Sequence, residues 1–282
     1  MNGKLRVLDL FSGIGGFSLG LERAGGFETV AFCEIEPYCR KVLAKNWPHV
    51  KQYDDVRTLT ADTLARDGIA VDVICGGFPC QDISVAGRGA GLAGERSGLW
   101  REYARLIGEL RPRFVIVENV AALLSRGLGD VLRDLAALGY DAEWHCIPAA
   151  AVGAPHRRDR LWIVANATQL HGHGCEFHRE HTARQVSKLR NGSGPISLAN
   201  ANPRHQHGRR GSLQMGWGRF AGETLHDGHA GRIEWSPEPD VGRVAHGVPS
   251  RVDRLGALGN AVVPQCVELI GKAIMQAEGM TP

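Results

Sequence analysis

The sequence lacks several features that would assign it to a simple class. No apolar run approaches the roughly 18 residues of a membrane span. There is no collagen-like or coiled-coil repeat. Cysteine is sparse: seven residues, an odd number without regular spacing, exclude a small disulfide scaffold and read as reduced thiols. The start, Met1-Asn2-Gly3-Lys4, runs straight into an apolar Leu5–Leu10, without a signal-peptide layout. A cytoplasmic protein with no membrane partner is therefore expected. Net charge is also nearly absent. The 33 basic residues stand against 30 acidic ones, and +3 is too little to mark a nucleic-acid binder by bulk charge.

What remains is ordinary globular composition, 43% hydrophobic and 22% charged, over 282 residues. That length suits one large domain, or one domain with a smaller companion. Residues 1–165 carry 20 basic and 20 acidic side chains, so the whole excess lies later, with 10 against 7 in residues 166–247. Nine of the twelve His also lie in that later segment.

The first 165 residues alternate strand and helix signals. Arg6–Leu10, Thr29–Cys33, Val71–Cys75, Phe114–Val117 and Leu161–Ala165 are short apolar runs that suit buried strands. Phe17–Ala24 is helical in pattern, and Pro37–Asn46 suits a helix with Pro in its first turn. This alternation predicts an α/β fold with a mostly parallel sheet and helices on both faces. Ligands in such folds bind beyond the C-terminal ends of the strands. Residues 166–247 hold only 12 Ile, Leu, Val and Phe, too few for a good core of their own. A helical apolar pattern returns from Val262 to Ala277, predicting that the end of the chain packs back onto the first domain. The expected boundaries are 1–167, 168–245 and 246–282.

Residues with chemical potential gather just past the candidate strands. Asp9-Leu-Phe-Ser-Gly-Ile-Gly-Gly16 joins a strand to a helix, and its glycines allow close approach of a ligand or simply a tight turn. Glu34 and Glu36 end the second strand, where a carboxylate can grip ribose hydroxyls or cap the helix at Pro37. Asp55-Val56 occupies a similar place after the next candidate strand. In Gly76-Gly-Phe-Pro-Cys-Gln81, Cys80 is placed as a nucleophile or as an inert thiol. A Gly-rich stretch with Arg88 and Arg96 follows, with the composition of a loop able to close over a substrate. Glu118-Asn119-Val120 puts a carboxyl on the same sheet edge as Cys80, where burial would suit it to acid catalysis. In His156-Arg-Arg-Asp-Arg160, strand alternation predicts that Arg158 and Arg160 point the same way.

Taken together, DLFSGIGG, the acidic pair, GGFPCQ, ENV, the R-x-R entry and Gly259-Asn-Ala-Val-Val-Pro264 resemble the C5-cytosine DNA methyltransferases of bacteria and phages. The resemblance covers residues 5–165 and roughly Glu238 to the C-terminus. It implies a Rossmann-like, S-adenosylmethionine-dependent methyltransferase fold plus a small irregular target-recognition domain. It implies S-adenosyl-L-methionine as cofactor, held by Asp9, Phe11, Gly13, Gly15 and Gly16. Glu34 would take the ribose hydroxyls, Ile35 would pack on the adenine, and Asp55 and Val56 would meet the adenine edge. Asn260 and Val262 would close the pocket. Cys80 would be the nucleophile toward C6 of a flipped cytosine, Glu118 would bond its N3 and amino group, and Arg158 its O2. Gln81, Ser84, Arg88, Arg96 and Arg160 would contact DNA, and the loop from Ser84 to Leu99 would close behind the base. His156 stands where the family often has Gln.

The resemblance places target recognition in residues 168–245, where Arg209, Arg210 and Arg219 are expected DNA contacts. His171, His173, Cys175, His178 and His181 lie close enough for zinc, but the spacing matches no standard finger, and a His-rich solvated loop with no metal is the better reading. Double-stranded DNA is the implied partner, acted on by a monomer. A cognate restriction endonuclease acting on the same site is compatible with this reading. The alternatives are an RNA (tRNA) cytosine methyltransferase and a catalytically inactive DNA-binding relative. A nicotinamide dehydrogenase is disfavoured by the glycine spacing.

Overall fold

A computed structural model describes residues 3–79, 98–168 and 250–280. Seven strands form one sheet: β1 (Leu5–Leu10), β2 (Phe27–Cys33), β3 (Lys51–Tyr53), β4 (Val73–Gly76), β5 (Phe114–Val120), β6 (Tyr140–Pro148) and β7 (Asp159–Ala167). Their order is β3-β2-β1-β4-β5-β7-β6. The first five pair in parallel, whereas β7 runs antiparallel to β5 and β6 antiparallel to β7. The mostly parallel sheet expected from the apolar runs is present. The reversed β7–β6 pair was not anticipated, because a short apolar run carries no sign of its direction.

Helices cover both faces. On one lie α3 (Ala61–Arg66), α4 (Gly98–Leu110) and α6 (Leu128–Ala137), preceded by the short α5 (Leu123–Arg126). Trp100, Tyr103, Leu106, Val131 and Leu135 pack there with Leu8, Leu10, Ile74 and Val115. On the other face α1 (Gly16–Ala24) meets the last helix, with Phe17, Leu21 and Ala24 against Val267, Ile270 and Ile274. Strand alternation sorts the two cores, since Val7 and Leu8 point to opposite faces. Each fully buried Leu or Ile contributes about 1.5–3 kcal/mol.

Local chemistry sets the helix ends. Proline occupies the first turn of α2 (Pro37–Asn46) and of the last helix, α8 (Pro264–Ala277). Thr60 caps α3 by accepting from the Thr63 N–H. The returning apolar pattern is α8, which packs on α1. A further helix, α7 (Arg251–Asn260), precedes it, and none of its ten residues is buried. Helix α4 begins at Gly98, so Gly98 and Leu99 are helical and do not belong to the loop expected to end at Leu99. Among the described residues no helix is long and apolar enough to cross a membrane.

Asp9 ties β1 to α1. It is fully buried, and its Oδ2 accepts from the Ser18 hydroxyl (2.8 Å) and N–H (3.3 Å). Burial outweighs these bonds and pushes its carboxyl up to about 8. The folded state therefore holds this proton where the unfolded chain releases it. The stability it contributes is complete below the ordinary carboxylate range and is lost as pH rises toward 8. Asp9→Asn should thus melt progressively higher relative to the unsubstituted chain between pH 5 and 8, by thermal denaturation across that range. A difference independent of pH would contradict the assignment.

Candidate active site

The C-terminal ends of β1, β2, β4 and β5 open into one cavity of about 1000 Å³. Only because β7 is antiparallel does its beginning, rather than its end, reach this edge. Val120 of β5 lies opposite Arg160 of β7.

One part of the cavity is lined by Phe11, Gly13, Glu34, Ile35, Asp55 and Val56. Glu34 is buried and doubly anchored: Gly13 N–H donates to Oε2 at 2.7 Å and Glu36 N–H to Oε1 at 2.8 Å. The glycine loop and the end of β2 are thereby joined through one carboxylate. Ile35 beside it is 59% exposed, an apolar side chain left open to the cavity. Phe11, in the left-handed backbone region, stacks on Tyr103 with centroids 6.2 Å apart. In the same part the Asp55 carboxylate accepts from the Arg57 guanidinium (2.7 Å) and N–H (2.9 Å), which hold it below the usual carboxylate range.

The other part contains Gly77, Phe78, Pro79, Glu118, Asn119, Arg158 and Arg160. Glu118 is buried at the end of β5, and its Oε1 meets Arg160 Nε at 2.9 Å. Burial raises its carboxyl, and Arg160 and Arg158 oppose that rise. Gly77 makes room for it, since a Cβ there would lie 2.7 Å from Glu118 Oε2. Asn119 turns back and donates from Nδ2 to the Phe78 carbonyl at 3.1 Å, pinning the segment that runs on to Cys80.

The expected site residues separate into three groups. Phe11, Gly13, Glu34, Ile35, Asp55, Val56, Glu118, Arg158, Arg160 and Asn260 line the cavity. Asp9, Gly15, Gly16 and Val262 sit behind it: Gly15 packs under Trp47, and Gly16 is so close to Val262 that a Cβ would fall 2.8 Å from its Cγ2. The Gly16–Val262 approach brings the glycine loop and the C-terminal segment together, while Asp9 bonds Ser18 of α1. Cys80, Gln81, Ser84, Arg88, Arg96, Arg209, Arg210 and Arg219 lie outside the described residues, as does the His/Cys cluster of residues 171–181. Among the described residues no group of three or more His, Cys, Asp or Glu could hold a metal ion.

The two arginines of the R-x-R entry share no direct hydrogen-bond partner. Strand β7 starts at Asp159, and Arg158 precedes it with φ +38°, so strand alternation does not extend to it. Arg160, expected on DNA, is paired with Glu118, whereas Arg158 donates to the carbonyls of Gly259 and Ala261. Gly77 and Asn119 were not singled out from the sequence. They lie inside the quoted GGFPCQ and ENV strings, which were the only available signal.

Residues 5–207 match the family model described as C-5 cytosine-specific DNA methylase. Among curated proteins, the chain is 31% identical over 250 residues to the Type II methyltransferase M2.BsuMI of Bacillus subtilis, covering 84% of this chain and 61% of that one. It is 38% identical to the Type II methyltransferase M1.HphI of Haemophilus parahaemolyticus, over 57% of this chain and 45% of that one. The chain thus spans about half the length of these relatives. Among solved structures, a prophage-encoded protein of Escherichia coli superposes with TM-score 0.50 and 29% identity, over 58% of this chain and 47% of that one. The methyltransferase EhMeth of Entamoeba histolytica superposes with TM-score 0.52 and 18% identity, over 61% and 56%, a likeness of fold.

The Gly77–Glu118 contact has a measurable consequence. Gly77→Ala should cost about 1–3 kcal/mol by forcing the carboxylate aside. In a Glu118→Ala background the same change should cost well under half as much, because the colliding oxygen is gone. Chemical denaturation of the four proteins checks this, and additive costs would refute the contact.

Proposed function

The chain belongs to the C-5 cytosine-specific DNA methylase family, and from that premise we propose that it transfers a methyl group from S-adenosyl-L-methionine to C5 of a cytosine in DNA. The observation that carries this reading is the single cavity joining two chemically distinct parts, the Glu34–Asp55 part and the Glu118–Arg160 part.

The first part fits the cofactor. A carboxylate fixed by two backbone N–H groups suits a pair of ribose hydroxyls. An open Ile35 suits an adenine face, and the anionic Asp55 suits its amino group. When bound, the cofactor supplies an electrophilic methyl group on a sulfonium sulfur.

The second part suits the base. A target cytosine in a duplex must leave the stack to reach it. C5 of cytosine is a poor nucleophile until a thiolate adds to C6. In this reading Cys80 forms that bond, C5 gains the electron pair, and after methylation loss of the C5 proton expels the thiolate. Glu118 hydrogen-bonds N3 and the amino group and stabilises the adduct. Its buried carboxyl, raised by desolvation, retains a proton more readily than a solvated one. Arg160, in contact with Glu118, orients it and takes over the base-pocket role that the sequence suggested for Arg158. Residues 168–245 supply target recognition, and the enzyme works beside a cognate endonuclease or alone.

Bisulfite sequencing of DNA from bacteria expressing the full chain should show protected cytosines in one sequence context. Unprotected DNA, or methylation of tRNA instead, would overturn the reading. With duplex DNA carrying 5-fluorocytosine, a covalent complex should form only in the presence of cofactor and be absent in Cys80→Ser. Glu118→Gln should lower kcat by about 10²–10⁴.

A further inference from the structure

Helix α7 is held in an unusual way. It lines the cavity, yet none of its residues is buried, and its apolar Val252 is 80% exposed. The following helix α8, by contrast, buries six residues. Among the described residues, apolar packing therefore anchors α8 and gives the cavity wall at Gly259–Ala261 no comparable anchor.

Arg158 supplies one. Its Nη1 donates to the Gly259 carbonyl at 2.9 Å and its Nη2 to the Ala261 carbonyl at 2.6 Å. These carbonyls lie at the C-terminal end of α7, where the last peptide oxygens lack intrahelical donors and the dipole favours a cation. The two-pronged guanidinium spans both at once, which a lysine ammonium cannot do as well. The bonds bridge 101 and 103 residues of sequence. The backbone at Arg158 is bent to allow them, because its φ of +38° is one that L-residues rarely adopt. Glu118 needs no second direct partner, since Arg160 already holds it.

We propose that Arg158 is a positioning residue for the cofactor part of the cavity. It fastens Gly259–Ala261, and with it Asn260, as the closing wall, and it does not read the substrate base. This rests on the methyltransferase reading above, and two measurements separate the two ideas.

The first is S-adenosyl-L-homocysteine binding by calorimetry without DNA. Arg158→Ala should weaken it about ten-fold or more, as expected for losing hydrogen bonds from a charged donor, with Arg158→Lys falling between. In turnover, KM for the cofactor should rise more than kcat falls. Affinity within two-fold of the unsubstituted protein, with the loss confined to kcat or to DNA binding, would make Arg158 a base contact and overturn the proposal.

The second is hydrogen exchange of the ligand-free protein. In Arg158→Ala the amides of 251–261 should exchange faster while those of 264–277 and the sheet stay protected. The protected sheet also shows that the variant is folded. Unchanged exchange over 251–261 would overturn the tie. Faster exchange in a protein that binds no S-adenosyl-L-homocysteine would preserve the tie and refute the methyltransferase reading.

Discussion

A carboxylate buried at the end of a central strand needs a counter-charge or a proton, and the site is arranged around meeting that need for Glu118. Its position on β5 takes it out of water. Arg160 reaches it because β7 enters the sheet in the opposite direction, starting where β5 ends. Gly77 has no side chain because the carboxylate fills that space. Asn119, the next residue along β5, holds the Phe78 carbonyl and so fixes the path toward Cys80. Leaving a charge of this kind unpaired would be strongly destabilising. The same environment lifts the carboxyl above the usual range, against the pull of Arg160 and Arg158.

Three carboxylates along one edge of the sheet show how partners set character. Glu34 is held by backbone N–H groups, Asp55 by an exposed arginine, and Glu118 by a half-buried arginine. Asp55 is kept anionic and Glu118 is pushed toward its protonated form. One cavity thus presents a fixed acceptor, a firm anion and a raised acid.

Much of this was legible in the residues. Apolar runs such as VDVIC and FVIV mark strands buried on both faces, and Pro37 and Pro264 mark helix starts. Strand β6 escaped notice because it is an edge strand whose exposed middle, Trp144 to Cys146, has no sustained apolar run. The glycine-rich composition beyond Cys80 concealed that Gly98 and Leu99 already belong to α4. Most of the residues picked for the cofactor do line the cavity. Asp9, Gly15, Gly16 and Val262 instead support it from behind, a distinction that a motif string does not carry.

Pattern along the chain is enough to imply the alternating architecture, the sheet edge that gathers the polar side chains and the residue types found there. These follow from local periodicity and from turns that glycine and proline dictate. Which arginine meets which partner follows from long-range packing. Arg158 and Arg160 are two residues apart and chemically identical. Their roles diverge because β7 runs antiparallel and begins at Asp159, placing Arg160 on Glu118 and leaving Arg158, in a left-handed backbone, to carbonyls more than a hundred residues away. Strand direction and long-range hydrogen bonds arise from how the whole chain packs, and no local pattern encodes them.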